Sequence, residues 1–336
     1  MKKIGGFLLR FVVSLAALAG LLYALRGKFG EALLILKGGI HWGWFSLAIL
    51  AYFAALALIS WRLQLVFRVQ GVKVNFPQSF YLSFLGHFFT LFFPSALGGD
   101  IAKGYFAYQY SGKKLGSLTG VVLDRLLGFV TVVVIALTAF GIYSRGLDAP
   151  FVKHLLYGAL GLLIFGAVFF ASRRVARKFL IFSFLVPSAD WRQKLSDLYH
   201  AIRNLQHHKK IFLSCLVISF AAQFIFFGDA FFLSQSLGAG VSLWPFFVLV
   251  PLVAFVSLAP SLSGLGVREA GFVFFFKSFM PAEKAFAMSL LYDIIFYGVS
   301  LLAGLVFAFR GGLGKKTIHD LEKIEVLEEV GHGGES

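Results

Sequence analysis

The chain has 336 residues, of which 59% are hydrophobic, 42 are Phe and only 14% are charged. Soluble domains carry about 25% charged residues, so a mean hydropathy of +0.83 excludes a water-soluble globular protein and makes this a membrane protein. The net charge of +15 does not point to nucleic acid, because it collects in loops between apolar runs.

In chain order, Lys2-Lys3 precede the apolar run Phe7–Leu25. That pattern could pass for a signal peptide with Ala17-Leu18-Ala19 as cleavage site. Arg10 interrupts it and the run is long enough to span, so an uncleaved first helix is expected. Further runs able to cross ~30 Å of hydrocarbon are Trp44–Phe67, Leu115–Tyr143, His154–Ala171, Ile211–Leu237 and Ala282–Phe309. Two more apolar stretches are broken: Gln78–Gly99, and Leu243–Phe279 with Pro245, Pro251 and Pro260. Residues 311–336 form a short tail that turns acidic at Glu322, Glu325, Glu328 and Glu329.

Loop charge sets an orientation. Nine Lys and Arg face only Asp190 and Asp197 between Ser172 and Lys210, the mark of a cytoplasmic connection with anionic lipid headgroups as its partner. Within it, Trp191, Leu195, Leu198, Ile202 and Leu205 recur at helical spacing. They read as an amphipathic helix on the cytoplasmic leaflet, or as an elbow between spans. Counting outward, Arg68–Pro77 and residues 100–114 are both cytoplasmic, so 78–99 enters and leaves on one side. Residues 243–280 re-enter from the opposite face. The 26–43 loop, placed outside, carries Arg26, Lys28 and Lys37 against this pattern. The expected fold is all-α and polytopic: six full transmembrane helices plus two re-entrant broken-helix hairpins in an inverted repeat. It forms one domain, 1–310, with halves at about 1–143 and 154–310, the connector 172–210 between them, and both termini cytoplasmic.

The two breaks share a device. Pro94-Ser95-Ala96-Leu97-Gly98-Gly99-Asp100 and Pro260-Ser261-Leu262-Ser263-Gly264-Leu265-Gly266-Val267-Arg268-Glu269 each run Pro-Ser-x-x-Gly, then glycine, then charge. Broken backbone is tolerable in lipid only where protein buries it or it lines a polar cavity. Paired breaks in two halves point to a transport-type site. The chain is expected to restart as helix near Ile101, with Asp100 as a plausible N-cap, and near Val267. Free N–H groups at a helix start favour anions, and Lys103 and Arg268 lie beside these starts, which suits a phosphate headgroup. The candidate substrate-binding residues are therefore Gly98, Gly99, Asp100, Lys103, Ser261, Gly264, Gly266, Arg268 and Glu269.

Charges within spans cost about 2.5–3.5 kcal/mol each and face a partner or water. Asp124, Arg125, Asp229 and Asp293 are such groups, read either as ion-coupling sites or as buried pairs. Gly116, Gly120, Asp124 and Gly128 repeat every four residues, so Asp124 faces a closely packed neighbour. Arg125, about 100° further round, can reach a carboxylate on another helix. His87 reads as a packing residue, Arg62 as a snorkelling one, Gln223 as an interhelical bond and Cys215 as small packing. No metal spacing, serine-hydrolase elbow, phosphate-binding loop or cofactor motif is present, so no catalytic residue, cofactor or metal is assigned.

At the two Pro-Ser motifs and Asp124-Arg125, the chain resembles the transmembrane region of lysylphosphatidylglycerol synthase, the MprF-like or flippase-like family, over about residues 5–310. The resemblance implies movement of lipid between leaflets of a bacterial or archaeal inner membrane. It covers none of the family's cytosolic aminoacyltransferase domain, so no lysyltransferase activity is expected. The leading expectation is a carrier of an anionic or zwitterionic phospholipid or lipid-linked precursor. The alternatives are a membrane-embedded headgroup transferase or phosphatase, and a non-catalytic accessory subunit of a lipid-synthesis enzyme.

Overall fold

The computed structural model describes residues 34–92, 98–143, 189–257 and 263–310, with Ser261 and a few positions between 154 and 161. The spans expected at Phe7–Leu25 and over most of His154–Ala171, the connector before Ala189, the tip 93–97 and the tail lie outside the described residues. Every element found is an α-helix: α1 (Trp42–Val69), α2 (Phe76–Phe92), α3 (Gly98–Ser111), α4 (Lys114–Tyr143), α5 (Ala189–His207), α6 (Lys209–Ser236), α7 (Trp244–Val256), α8 (Val267–Phe276) and α9 (Ala282–Phe309). Four of these, α1, α4, α6 and α9, are long and apolar enough to cross a membrane. They match four of the six spans expected.

The remaining apolar helices are short. α2, α3, α7 and α8 have 17, 14, 13 and 10 residues, and none alone reaches the ~20 residues a crossing needs. Around α5 the order long, short, short, long is thus written twice. α2 starts where Asn75 and Gln78 exchange side-chain-to-backbone hydrogen bonds of 2.9 Å each, a reciprocal cap of the capping-box kind. α3 stops at Gly112, whose φ of +70° suits a residue without Cβ.

α1 and α6 pack along one another as the central pair. They are antiparallel. At one end the His41 amide donates to the Ser236 carbonyl at 2.9 Å. At the other, Asn204 Nδ2 donates to the Val69 carbonyl at 2.9 Å and Gln70 Nε2 to the Ala201 carbonyl at 3.1 Å. These bonds, with burial of Ala201 and Leu205 among Val66, Val69, Leu123 and Leu127, seat α5 on the bundle. Leu198, Ile202 and Leu205 of the expected stripe thus pack on protein, in one cluster with residues of α1, α4 and α6.

The short helices form two hairpins that open at opposite ends of this central pair. A Cβ on Gly71, just after α1, would come within 2.9 Å of Lys113 Nζ, just after α3. The chain entering α2 and the chain leaving α3 are therefore neighbours. At the other end Lys284, in the first turn of α9, donates to the Gly238 carbonyl before α7 at 2.9 Å. The packing repeats as well: α2 lies against α9 of the other half, and α7 against α4.

The glycine stripe on α4 does what its spacing implied. Gly116 faces the Gln70 carbonyl, Gly120 the Phe67 ring and Gly128 the Arg62 guanidinium, all across from α1. In the first hairpin a Cβ on Gly99 would collide with the Gly86 carbonyl oxygen and Thr90 Oγ1. Backbone cannot step aside, and overpacking of this kind costs about 1–3 kcal/mol. Gly99→Ala should lower the melting temperature in detergent by several degrees. Gly298→Ala, with nothing within 4 Å of the added Cβ, should not. Equal melting of both variants would show that the α2–α3 contact is looser than described.

Candidate functional site

The last turn of α2 meets the turn that leads into α8. Ser263 Oγ donates to the Thr90 carbonyl at 2.8 Å, so the second Pro-Ser motif satisfies a carbonyl in the last turn of α2. Ser263 is a left-handed non-glycine residue, with φ of +52°, a conformation costing roughly 1–2 kcal/mol for a side-chain-bearing residue. Gly264 and Gly266 follow at φ +83° and +80°, which turns the chain into α8. There the Arg268 amide donates to the Gly264 carbonyl at 2.8 Å. Ser261 is buried and its Oγ has no hydrogen-bond partner.

On the first-half side α3 begins at Gly98 rather than near Ile101. Asp100 accordingly lies inside the first turn and is not the N-cap expected of it. Its carboxylate holds two cations: Lys103 Nζ at 3.3 Å from Oδ1 and Arg125 Nε at 2.6 Å from Oδ2. Arg125 has thus found the carboxylate its position called for, tying α3 to α4. Asp100 no longer repels an anion, because the local sum of Asp100, Lys103 and Arg125 is positive.

Asp124 turns the other way. Arg62 Nε donates to Asp124 Oδ1 at 2.7 Å and Arg62 Nη1 to Ser219 Oγ at 2.9 Å. Arg62 is 3% exposed, so the expectation that it snorkels out of the bundle is overturned. A partner 62 residues away in sequence gives it a reason to stay inside. The triangle joins α1, α4 and α6 and leaves no net charge.

The second-half side is richer in acid. Arg268, buried, places Nη2 2.9 Å from Asp293 Oδ1, while its guanidinium lies 4.8 Å from the Phe296 ring centre, 5.4 Å from Tyr292 and 5.9 Å from Tyr297. Glu269 and Asp293 are buried as well, and Glu269 Oε2 has no hydrogen-bond donor. Asp229 on α6 is fully enclosed, and neither carboxylate oxygen meets a donor. Among the described residues no three His, Cys, Asp or Glu side chains converge as a metal site would require.

Tyr52 and His87 lie between the two sides. Tyr52 OH is 3.4 Å from His87 Nδ1, and the imidazole packs edge-on to Phe296. His87 is thus the packing residue expected, but it is also placed within electrostatic reach of Lys103 and Asp100. Tyr52 is within reach of Asp229, Tyr292 and Arg268. Polar and charged groups thus line the way from the partly exposed Lys103 and Asp100, past His87 and Tyr52, towards the Arg268 cluster. Tyr52, Thr90, Arg62 and Ser219 were not singled out as site residues, since each gains its role only from a helix distant in sequence. Beside the mouth of the first hairpin lies an open cavity of about 640 Å³, lined by Arg68, Lys73 and Lys113 together with Gln64, Asn75 and Gln78.

Four apolar spans, two broken-helix hairpins and a charged thread between their tips define a multi-pass membrane protein with an internal polar site. The chain belongs to the family described as lysylphosphatidylglycerol synthase TM region, whose model matches residues 7–304. That membership ties it to membrane lipid. No curated protein and no solved structure matches the chain.

Removing one partner of a buried ion pair strands the other charge, at about 3–5 kcal/mol. Asp124→Leu and Arg62→Met should each lower thermal stability sharply. The double variant should recover most of the loss, because Ser219 keeps its bond to the Cys215 carbonyl at 2.7 Å. A double variant as unstable as the sum of the singles would show that the pair does more than hold three helices.

Proposed function

We propose that the protein carries a lipid with an anionic or zwitterionic headgroup between leaflets of the inner membrane, without chemical conversion of it. The observation that carries this reading is the Ser263–Thr90 contact. Two broken hairpins, opening at opposite ends of the central pair, close on each other at one point, and charged residues flank that point on both sides. A headgroup crossing the bilayer needs a polar path whose two ends open in turn, and opposed hairpins supply one.

In this reading the complete topology has six crossings and two re-entrant hairpins, with the α2–α3 mouth, the basic cavity and both termini on the cytoplasmic side. Arg68, Lys73 and Lys113 collect the headgroup there. Lys103 and Arg125, partly offset by Asp100, receive it next, and Arg268 in its cage of rings is the matching cation beyond the tips. Acyl chains stay outside, against the exposed apolar faces of the long helices. Transport by such a path requires the tips to part.

The test follows from that requirement. With Cys215→Ser as background, Thr90→Cys and Ser263→Cys should form a disulfide that locks the tips. Liposomes carrying fluorescent phospholipid in both leaflets are then treated with dithionite. Background protein should allow quenching beyond the outer-leaflet share. The oxidised pair should not, and reductant should restore it. Full activity of the locked protein would sink the reading, and headgroup conversion of added lipid in detergent would favour an enzyme.

A further inference from the structure

The Arg268 cluster has more buried carboxylates than it can neutralise. α8 supplies Arg268 and Glu269, and α9 supplies Asp293, with exposures of 8%, 3% and 7%. One guanidinium therefore faces two carboxylates away from solvent. Arg268 is in contact with Asp293. Glu269, next to Arg268 in the chain, acts electrostatically on the same Asp293 carboxyl, and its Oε2 meets no donor. An uncompensated buried charge is costly. With one cation for two buried carboxylates, the balance is reached when one of them carries a hydrogen.

Among the described residues the surroundings offer no other positive charge. From α9 come Tyr292 and Tyr297, from α2 His87 behind Phe296, from α1 Tyr52 and from α6 the unpartnered Asp229. α7, packed on α8, contributes no titratable side chain. For Glu269 and Asp293 around the one guanidinium the missing charge is one unit, Asp229 being a separate enclosed acid without a donor of its own. The described acids do not converge as a metal site would. Asp124, a further acid deep in a span, is excluded from the role because it is already paired with Arg62, which Ser219 holds in turn.

We propose that Glu269 and Asp293 share one exchangeable proton, and that its loss and uptake drive the movement of the second hairpin. The inference rests on the carrier reading and supplies its energy source. With the proton in place the cluster is neutral, and α8 stays against α9 with Ser263 closed on Thr90. Loss of the proton sets two like charges in contact across the α8–α9 interface, of which Arg268 can balance only one. Repulsion then displaces α8, and the tip it carries leaves Thr90. Uptake of a proton from the other face reverses the step.

Two readouts separate this from the carrier reading itself. Infrared difference spectra of purified protein should show at neutral pH the carbonyl stretch of a protonated carboxyl group, shifted in D2O. In an Asp229→Asn background, which removes the other enclosed acid without a donor, that band should be lost in Glu269→Gln and in Asp293→Asn, each close to isosteric with the native residue. In liposomes with a trapped pH dye, an imposed pH gradient should speed lipid movement several-fold, with proton flux alongside. Both effects should disappear in the two variants and on adding a protonophore. Absence of the band, or its persistence in both variants, overturns the proposal. So does lipid movement that ignores the proton gradient or follows a sodium gradient instead. If no lipid moves, the carrier reading fails, and the proton is then decided by the band together with the dye: a band without flux makes it a fixed structural proton and overturns the coupling.

Discussion

Backbone N–H and C=O groups in hydrocarbon must find partners inside the protein, and this constraint shapes everything around the two breaks. A helix broken at Pro-Ser-x-x-Gly exposes the ends of both its arms. Each of α2, α3, α7 and α8 is too short to cross alone, and the outer ends of each pair lie together. Where the pairs approach each other, Ser263 bonds the Thr90 carbonyl, and Gly86 and Gly99 let α2 and α3 come close. The long helices serve this closure. α9 supports α2 of the opposite half and α4 supports α7, so neither hairpin is buried by its own half alone.

The two halves repeat in architecture but differ in charge. Arg62 lies twenty residues after the start of α1 and Asp229 twenty after the start of α6. Asp124 is ten residues into α4 and Asp293 eleven into α9. In the first half these positions hold opposite charges and join directly. In the second they hold two acids, which cannot, and Arg268 reaches across from the hairpin to balance one of them. The link from hairpin to final helix is likewise reversed in sign: Asp100 to Arg125 in one half, Arg268 to Asp293 in the other. The first half is thereby closed by a neutral strut, while the second is left with an acid surplus.

Much of this was legible in sequence because membrane proteins write their spans in composition. Trp44–Phe67 and Ala282–Phe309 agree with α1 and α9 to within two residues, since twenty-odd apolar residues admit little else. The hairpins were legible because glycine and proline interrupt runs that apolarity would otherwise continue. The face of Asp124 was legible from glycines at every fourth position. Its partner was not: Arg62 sits in an unremarkable apolar run, and only the antiparallel seating of α1 against α4 and α6 brings it to Asp124 and Ser219. The start of α3 was misplaced by a few residues for a local reason, because Gly98 and Gly99 read as breakers yet enter the helix, where their lack of Cβ lets α3 press on Gly86. The seat of α5 was equally hidden, since an amphipathic stripe shows that one face is covered but not by what.

Which element can move follows from what each one touches. The long helices present exposed apolar side chains along their length, such as Leu50, Val217, Leu301 and Leu305, and Trp42, Trp44 and Trp244 cluster at one end of the central pair. Tryptophan at that level anchors a helix to the interface, so the scaffold is held by lipid as well as by its own packing. α7 is different. From Pro245 to Val253 every residue is buried, between α4, α6 and α8. It carries Pro251 inside the helix, which leaves a carbonyl one turn earlier without its usual donor. A helix enclosed by protein can shift without exposing new apolar surface to water or disturbing lipid, and the cost falls on contacts such as Phe246 with Phe276 at 4.9 Å between ring centres. Those contacts are non-directional and can re-form after a slide, whereas the Arg62–Asp124–Ser219 triangle cannot. On the carrier reading, motion is therefore assigned to the second hairpin and rigidity to the first half's strut, with the acid surplus on the part assigned to move.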